Sequence, residues 1–159
     1  MNCQSDNQQT DRIMPNTSEL QFHDLFDLAE IQRIQDAFSL ATGVAALITD
    51  RAGNPITRPS HFTRFCEMIR STTKGMNHCR QSDAYLGLLN PAGPVWGLCL
   101  SGKLLDGGAG IAVGDRQIAN WLIGQVLDEP VDEAYYRQYA RELGLDETEF
   151  LQALAEVPR

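Results

Sequence analysis

Three cysteines stand in the middle of this chain, Cys66, Cys79 and Cys99, with twelve residues between the first two and nineteen between the second two. Spacing that wide is no local CxxC clamp, so the thiols meet only if the fold gathers them from two helices and a strand. Thiolates select zinc, iron or iron–sulfur chemistry, and three of them leave one position for His61, His78, water or a sensed molecule. Cys66, Cys79 and Cys99 are therefore the candidate metal ligands, with zinc, iron or an iron–sulfur cluster as the candidate cofactor. A thiol redox sensor that closes a reversible disulfide is the second chemistry open to them. Cysteine also serves as a small buried hydrophobe, and then the three are structural.

Other side chains near the thiols suit a small molecule, whose sites are apolar walls with a few polar anchors. Phe65, Arg70, Trp121 and Gln125 join the three cysteines as candidate ligand-binding residues. Arg70 and Arg80 are placed to meet an anionic group, and Phe62 and Phe65 read as core. Catalysis is a poorer fit. A Cys–His pair has no third orienting group beside it, and the glycines of LLDGGAG lead into a strand, whereas a phosphate loop leads into a helix. No catalytic residue is assigned, and a non-enzymatic role is expected.

The elements that position these residues follow from hydrophobic period and punctuation. Ile31, Ile34, Ala37, Phe38 and Ala41 recur at three- and four-residue steps and predict a helix ended by Gly43. VAALITD, residues 44–50, reads as a buried strand turning at Gly53 and Asn54 into a further strand, PIT. Ser60 is placed to cap a helix through Phe62, Phe65, Met68 and Ile69, with Cys66 on its inner face. Gly75 separates it from a second helix beginning at Met76, so Cys79 falls in the first turns, where the helix terminus favours thiolate. Strands follow over 95–101, carrying Cys99, and over LLDGGAGIAV and QIANWLIGQVLD, joined at Gly114 and Asp115. Along the last strand Ile118, Asn120, Leu122 and Gly124 point one way and Ala119, Trp121, Ile123 and Gln125 the other. Two helices close the chain after Pro130.

Composition bounds the function. The chain has 159 residues, 43% hydrophobic, enough for one domain with one core. Residues 1–18 are polar and read as a disordered leader; residues 19–159 form the domain. A net charge of −8 disfavours nucleic-acid binding, which depends on Lys and Arg. From Asp128 to Arg159 nine acidic residues face three basic ones, a solvated surface. No apolar run is long enough to span a membrane, and a cytoplasmic location is expected. The predicted class is α+β: a central antiparallel sheet of about five strands, with helices packed on one face and at the ends.

Several stretches, taken in order, resemble the PocR sensory domain: FHDLFDLAEIQRIQDAFSLATGVAALITDRAGNPIT, RFCEMIR, CRQSD, the strand carrying Cys99 and followed by Gly102, and IAVGDRQIANWLIGQV. The resemblance runs from about Phe22 to Val157. It implies a PAS-like fold and a prokaryotic input domain that binds a small molecule, a simple hydrocarbon derivative such as a diol. It also implies an output module in the same polypeptide, of histidine kinase, cyclase or helix-turn-helix type. A homodimer, or an interaction module with purely structural cysteines, is the alternative.

Overall fold

Side chains that accept from the first-turn amides set where most helices begin. The computed structural model describes residues 20–88, 90 and 92–159; the leader expected over 1–18 lies outside them. Asp27 accepts from Ala29 and Glu30 at the start of α2 (Leu28–Thr42), after the short α1 (Phe22–Leu25). Thr63 caps α3 (Arg64–Arg70) and Thr72 caps α4 (Thr73–Leu86). Asp132 and Asp146 cap α5 (Glu133–Leu143) and α6 (Glu147–Ala155). Such caps satisfy amides that have no partner within the helix.

Two expectations shift here. Thr63 replaces Ser60 as the cap of α3, because Ser60 is tied elsewhere: its hydroxyl accepts from the buried Gln35 at 2.6 Å and donates to Asp36 at 2.5 Å. Gly75 lies inside the first turn of α4 rather than ahead of it, and a Cβ there would sit 2.1 Å from the Ile69 carbonyl oxygen. Cys79 is thus mid-helix, beyond the reach of the terminal dipole.

The sheet is antiparallel in the order β1-β4-β3-β2, with β1 (Ala45–Thr49), β2 (Val95–Leu98), β3 (Leu105–Val113) and β4 (Arg116–Val126). It has four strands rather than about five. The segment after the first turn forms no continuous ladder with β1: it meets it at isolated bridges, Thr49 with Pro55 and Ala46 with Ser60, and between them the Ile56 and Thr57 amides both donate to the Ile48 carbonyl. Pro55 and Pro59 have no N–H to give to a ladder. Gln32 and Gln35 of α2 hold this segment instead, through Arg58, Thr57 and Ser60.

Helices lie on both faces, where one face was expected. On one, α2 covers β1, and Phe38 meets Trp121 edge to face at 6.2 Å. On the other, α4 lies close against β3 and β4: a Cβ on Gly108 would stand 2.5 Å from the Leu86 carbonyl oxygen, and one on Gly53 2.1 Å from that of Arg80. Of the LLDGGAG glycines, Gly108 thus serves backbone-to-backbone packing, whereas Gly107 makes room for the Trp96 ring. The main core fills the space among α3, α4, α5 and α6. Phe65, fully buried, packs on Phe150 at 4.6 Å and on Tyr136 at 5.8 Å.

Candidate functional site

A bulge in the β3–β4 ladder sets the chemistry of the inner face. Leu105 pairs with Val126 and Asp106 with Gly124, so Gln125 is an extra residue on β4. Gly124 adopts φ 148° and Gln125 φ 66°. A Cβ on Gly124 would lie 2.2 Å from Asp106 Oδ1, so only glycine leaves room for that carboxylate. The bulge also turns Gln125 away from the face that strict alternation assigns it. Its Oε1 accepts from the Thr63 amide at 2.8 Å and from the Thr63 hydroxyl at 3.0 Å.

Between this stretch of sheet and the helices α3 and α4 lies a small cavity of ≈ 30 Å³. Ala45, Leu47 and Leu122 give it an apolar floor, and Phe62 adds an aromatic wall. Four polar side chains converge on it: Arg70, Asp83, Asp106 and Gln125. Room for one water needs about 10–15 Å³, so the cavity as it stands admits one or two water-sized groups.

Arg70 Nη2 donates to Asp83 Oδ2 at 2.6 Å, with the two side chains only 12% and 11% exposed. The guanidinium carbon also sits 5.0 Å over the Phe62 ring. Burial opposes the charge on Arg70, but Asp83 more than offsets it and holds the guanidinium above its usual value. Burial raises the Asp83 carboxyl, against the pull of Arg70.

Asp106 has no such partner. Burial pushes it up to about 6, although the Gln125 amide donates to Oδ1 at 2.7 Å and the Cys99 thiol adds a second hydrogen bond. The residue keeps some accessible surface toward the cavity while protein surrounds its carboxylate.

The cysteines gather in one core cluster behind this site. All three are free and buried. Burial raises Cys66 well above the ordinary thiol range and raises Cys79; burial, then Asp106, pushes Cys99 up to about 11. The thiolate expected for Cys79 is thereby reversed, because the sulfur is mid-helix and desolvated. Ser101 donates to Cys99 Sγ at 3.4 Å and also bonds the Cys79 thiol. Among the described residues, no group of three or more His, Cys, Asp or Glu side chains is arranged to hold a metal ion. His61 is exposed, and His78 Nδ1 reaches the Tyr139 hydroxyl at 3.5 Å.

A family model described as the sensory domain found in PocR matches residues 24–159, most of the chain. The chain belongs to this family. No curated protein and no solved structure gives a match.

In this PocR-type sensory domain the sequence-predicted residues divide into three groups. Arg70 and Gln125 line the cavity, and Cys66, Cys79 and Cys99 stand together behind it. Phe65 is core, and Phe62, half-buried and packed against that core as expected, also lines the cavity. Trp121 is on the opposite face of the sheet, in a shallow groove with Phe38, Pro94, Trp96 and Ala109. Arg80 is exposed. Two site residues escaped the sequence reading, Asp83 and Asp106. Asp83 had a signal, one helical turn after Cys79 on the same inward face. The signal for Asp106 was an acid inside a strand, a residue type depleted there.

Proposed function

We propose that this PocR-type sensory domain is the ligand-sensing input of a signal-transduction or transcription regulator, binding a small molecule in the cavity beneath its sheet. The observation that carries the reading is the convergence of Arg70, Asp83, Asp106 and Gln125 on a space with an apolar floor. The strand order, with segment 55–60 along the outer edge of β1, supports a PAS-like arrangement. Three buried free thiols fit a reducing, cytoplasmic compartment.

The cavity of ≈ 30 Å³ is smaller than most organic ligands, so entry displaces α3 or α4 from the sheet. Both helices touch the C-terminal pair. Arg64 of α3 bonds Glu149 at 2.7 Å and Glu156 at 3.3 Å, and Lys74 of α4 bonds Glu142 at 2.6 Å. Exposed ion pairs contribute at most about 1 kcal/mol each, so the buried Phe65–Phe150 contact carries more of the coupling. A ligand that prefers one helix arrangement shifts the population of α5 and α6, and through them an output module of kinase, cyclase or helix-turn-helix type. Turnover is not required.

The test is thermal denaturation of the chain with small alcohols, diols, aldehydes, acids and amines, alongside Ala45→Ile, which fills the cavity floor. Stabilisation that rises with ligand concentration and vanishes in the filled variant is expected. Stabilisation that persists with the floor filled would sink the reading.

A second reading rests on the other face. The groove holding Trp96, 59% exposed, and Trp121 is apolar, and among the described residues that line it none is charged. Two copies of a chain of charge −8 can meet there without opposing carboxylates, as a homodimer. Trp96→Ser is then expected to halve the mass seen by light scattering; an unchanged mass removes this reading.

A further inference from the structure

Charges in the cavity do not cancel. Arg70 is committed to Asp83 at 2.6 Å. The Asp106 carboxylate receives two uncharged donors, the Gln125 amide at 2.7 Å and the Cys99 thiol. Among the described residues no Lys, Arg or His forms an ion pair with it. Arg70 acts on it only from a distance, and Asp83 repels it. Two carboxylates against one guanidinium leave the ionised cavity one negative charge in excess. A buried charge without a counter-charge is strongly disfavoured, so the site is incomplete by one cation.

Shape narrows which cation. The floor of Ala45, Leu47 and Leu122 offers nothing to a hydrated ion but packs well against methylene groups, and the Phe62 ring is an aromatic wall. The volume of ≈ 30 Å³ leaves space for a head group and little more before the helices part. We infer that the sensed molecule is a small alkylammonium ion, its ammonium group on Asp106 and its alkyl group against Leu47 and Leu122. This rests on the cavity being the sensory site and goes beyond it by naming the ligand class. An alcohol of the same length leaves Asp106 uncompensated, and a carboxylate adds a third negative charge beside Asp83 and Asp106.

The experiment is thermal denaturation of the full chain at pH 7.5 with ethylammonium chloride, ethanol, sodium acetate or potassium chloride, at matched ionic strength. Wild-type protein and Asp106→Asn are compared. Asparagine keeps the shape and still accepts from the Gln125 amide, so the variant folds. At a concentration ten times its Kd, ethylammonium is expected to raise the wild-type Tm by about 3–5 °C, and to leave Asp106→Asn unshifted. Ethanol, acetate and potassium are expected to do nothing. An ethanol or acetate shift that vanishes in Ala45→Ile would overturn the ammonium assignment while leaving the cavity as the sensory site. An equal shift with potassium chloride, or an ethylammonium shift retained in Asp106→Asn, also overturns it. No shift with any probe overturns the ammonium assignment, and silence across the wider panel removes the sensory cavity as well.

Discussion

Asp106 is where single-residue chemistry is most exposed to measurement. Its folded value of about 6 lies above the ordinary 3.8, so ionising it is harder in the fold than in the unfolded chain. The groups facing it are Asp83, Arg70, the Cys99 thiol and the Gln125 amide. Stability linked to Asp106 is therefore complete below about pH 4 and is lost as pH rises through about 6. Asp106→Asn is expected to be more stable than wild type by on the order of 3 kcal/mol at pH 8, with the gap closing near pH 4. Urea denaturation at the two pH values checks it; equal stabilities at pH 8 would show the carboxylate to be adequately solvated. The thiols give a second prediction. With burial holding Cys66, Cys79 and Cys99 protonated, iodoacetamide at pH 8 should label them in native protein at least 100-fold more slowly than in urea, read by mass spectrometry. Sequence identified these sulfurs as neighbours but misjudged their ionisation, because Gly75 was read as a break and Cys79 as a first-turn residue. Sequence spacing carries no record of desolvation.

At the level of elements, the β4 bulge matters most. A Cβ on Gly124 would meet Asp106 Oδ1 at 2.2 Å and the Leu105 carbonyl oxygen at 2.7 Å, at a φ that side chains rarely adopt. Gly124→Ala is expected to destabilise the protein by about 2–4 kcal/mol, measured by urea denaturation; a loss below about 1 kcal/mol would mean that the ladder relaxes around it. Helix α2 and the β3–β4 hairpin were legible because they follow local rules: Gly43 as a stop, Gly114 and Asp115 as a turn. The bulge was not. A two-residue alternation carried through Gly124 puts Gln125 beside Trp121, and the extra residue reverses that. The partial strand at Pro55 was over-read for a related reason, since its apolar residues fit a ladder that proline cannot join.

For the molecule as a whole, the proposed function requires the helical layer to respond when a small molecule enters beneath the sheet. Hydrogen exchange with bound ligand should slow most in α3 and in the first half of α4, with a further change in α5 and α6, while β1 and β4 stay as they were. Protection confined to the sheet would dissociate binding from signalling. The close contacts of α4 determine which of its ends can give. Backbone atoms of Arg80 and Leu86 rest against Gly53, in the turn after β1, and Gly108 of β3 with no side chain between, so the later turns are seated directly on the sheet and its first turn. The first turn is seated as closely, but on α3: a Cβ on Gly75 would meet the Ile69 carbonyl oxygen at 2.1 Å. A shift of α3 over the cavity is therefore expected to carry the first turn of α4 with it, and Lys74 would pass that shift to Glu142 of α5.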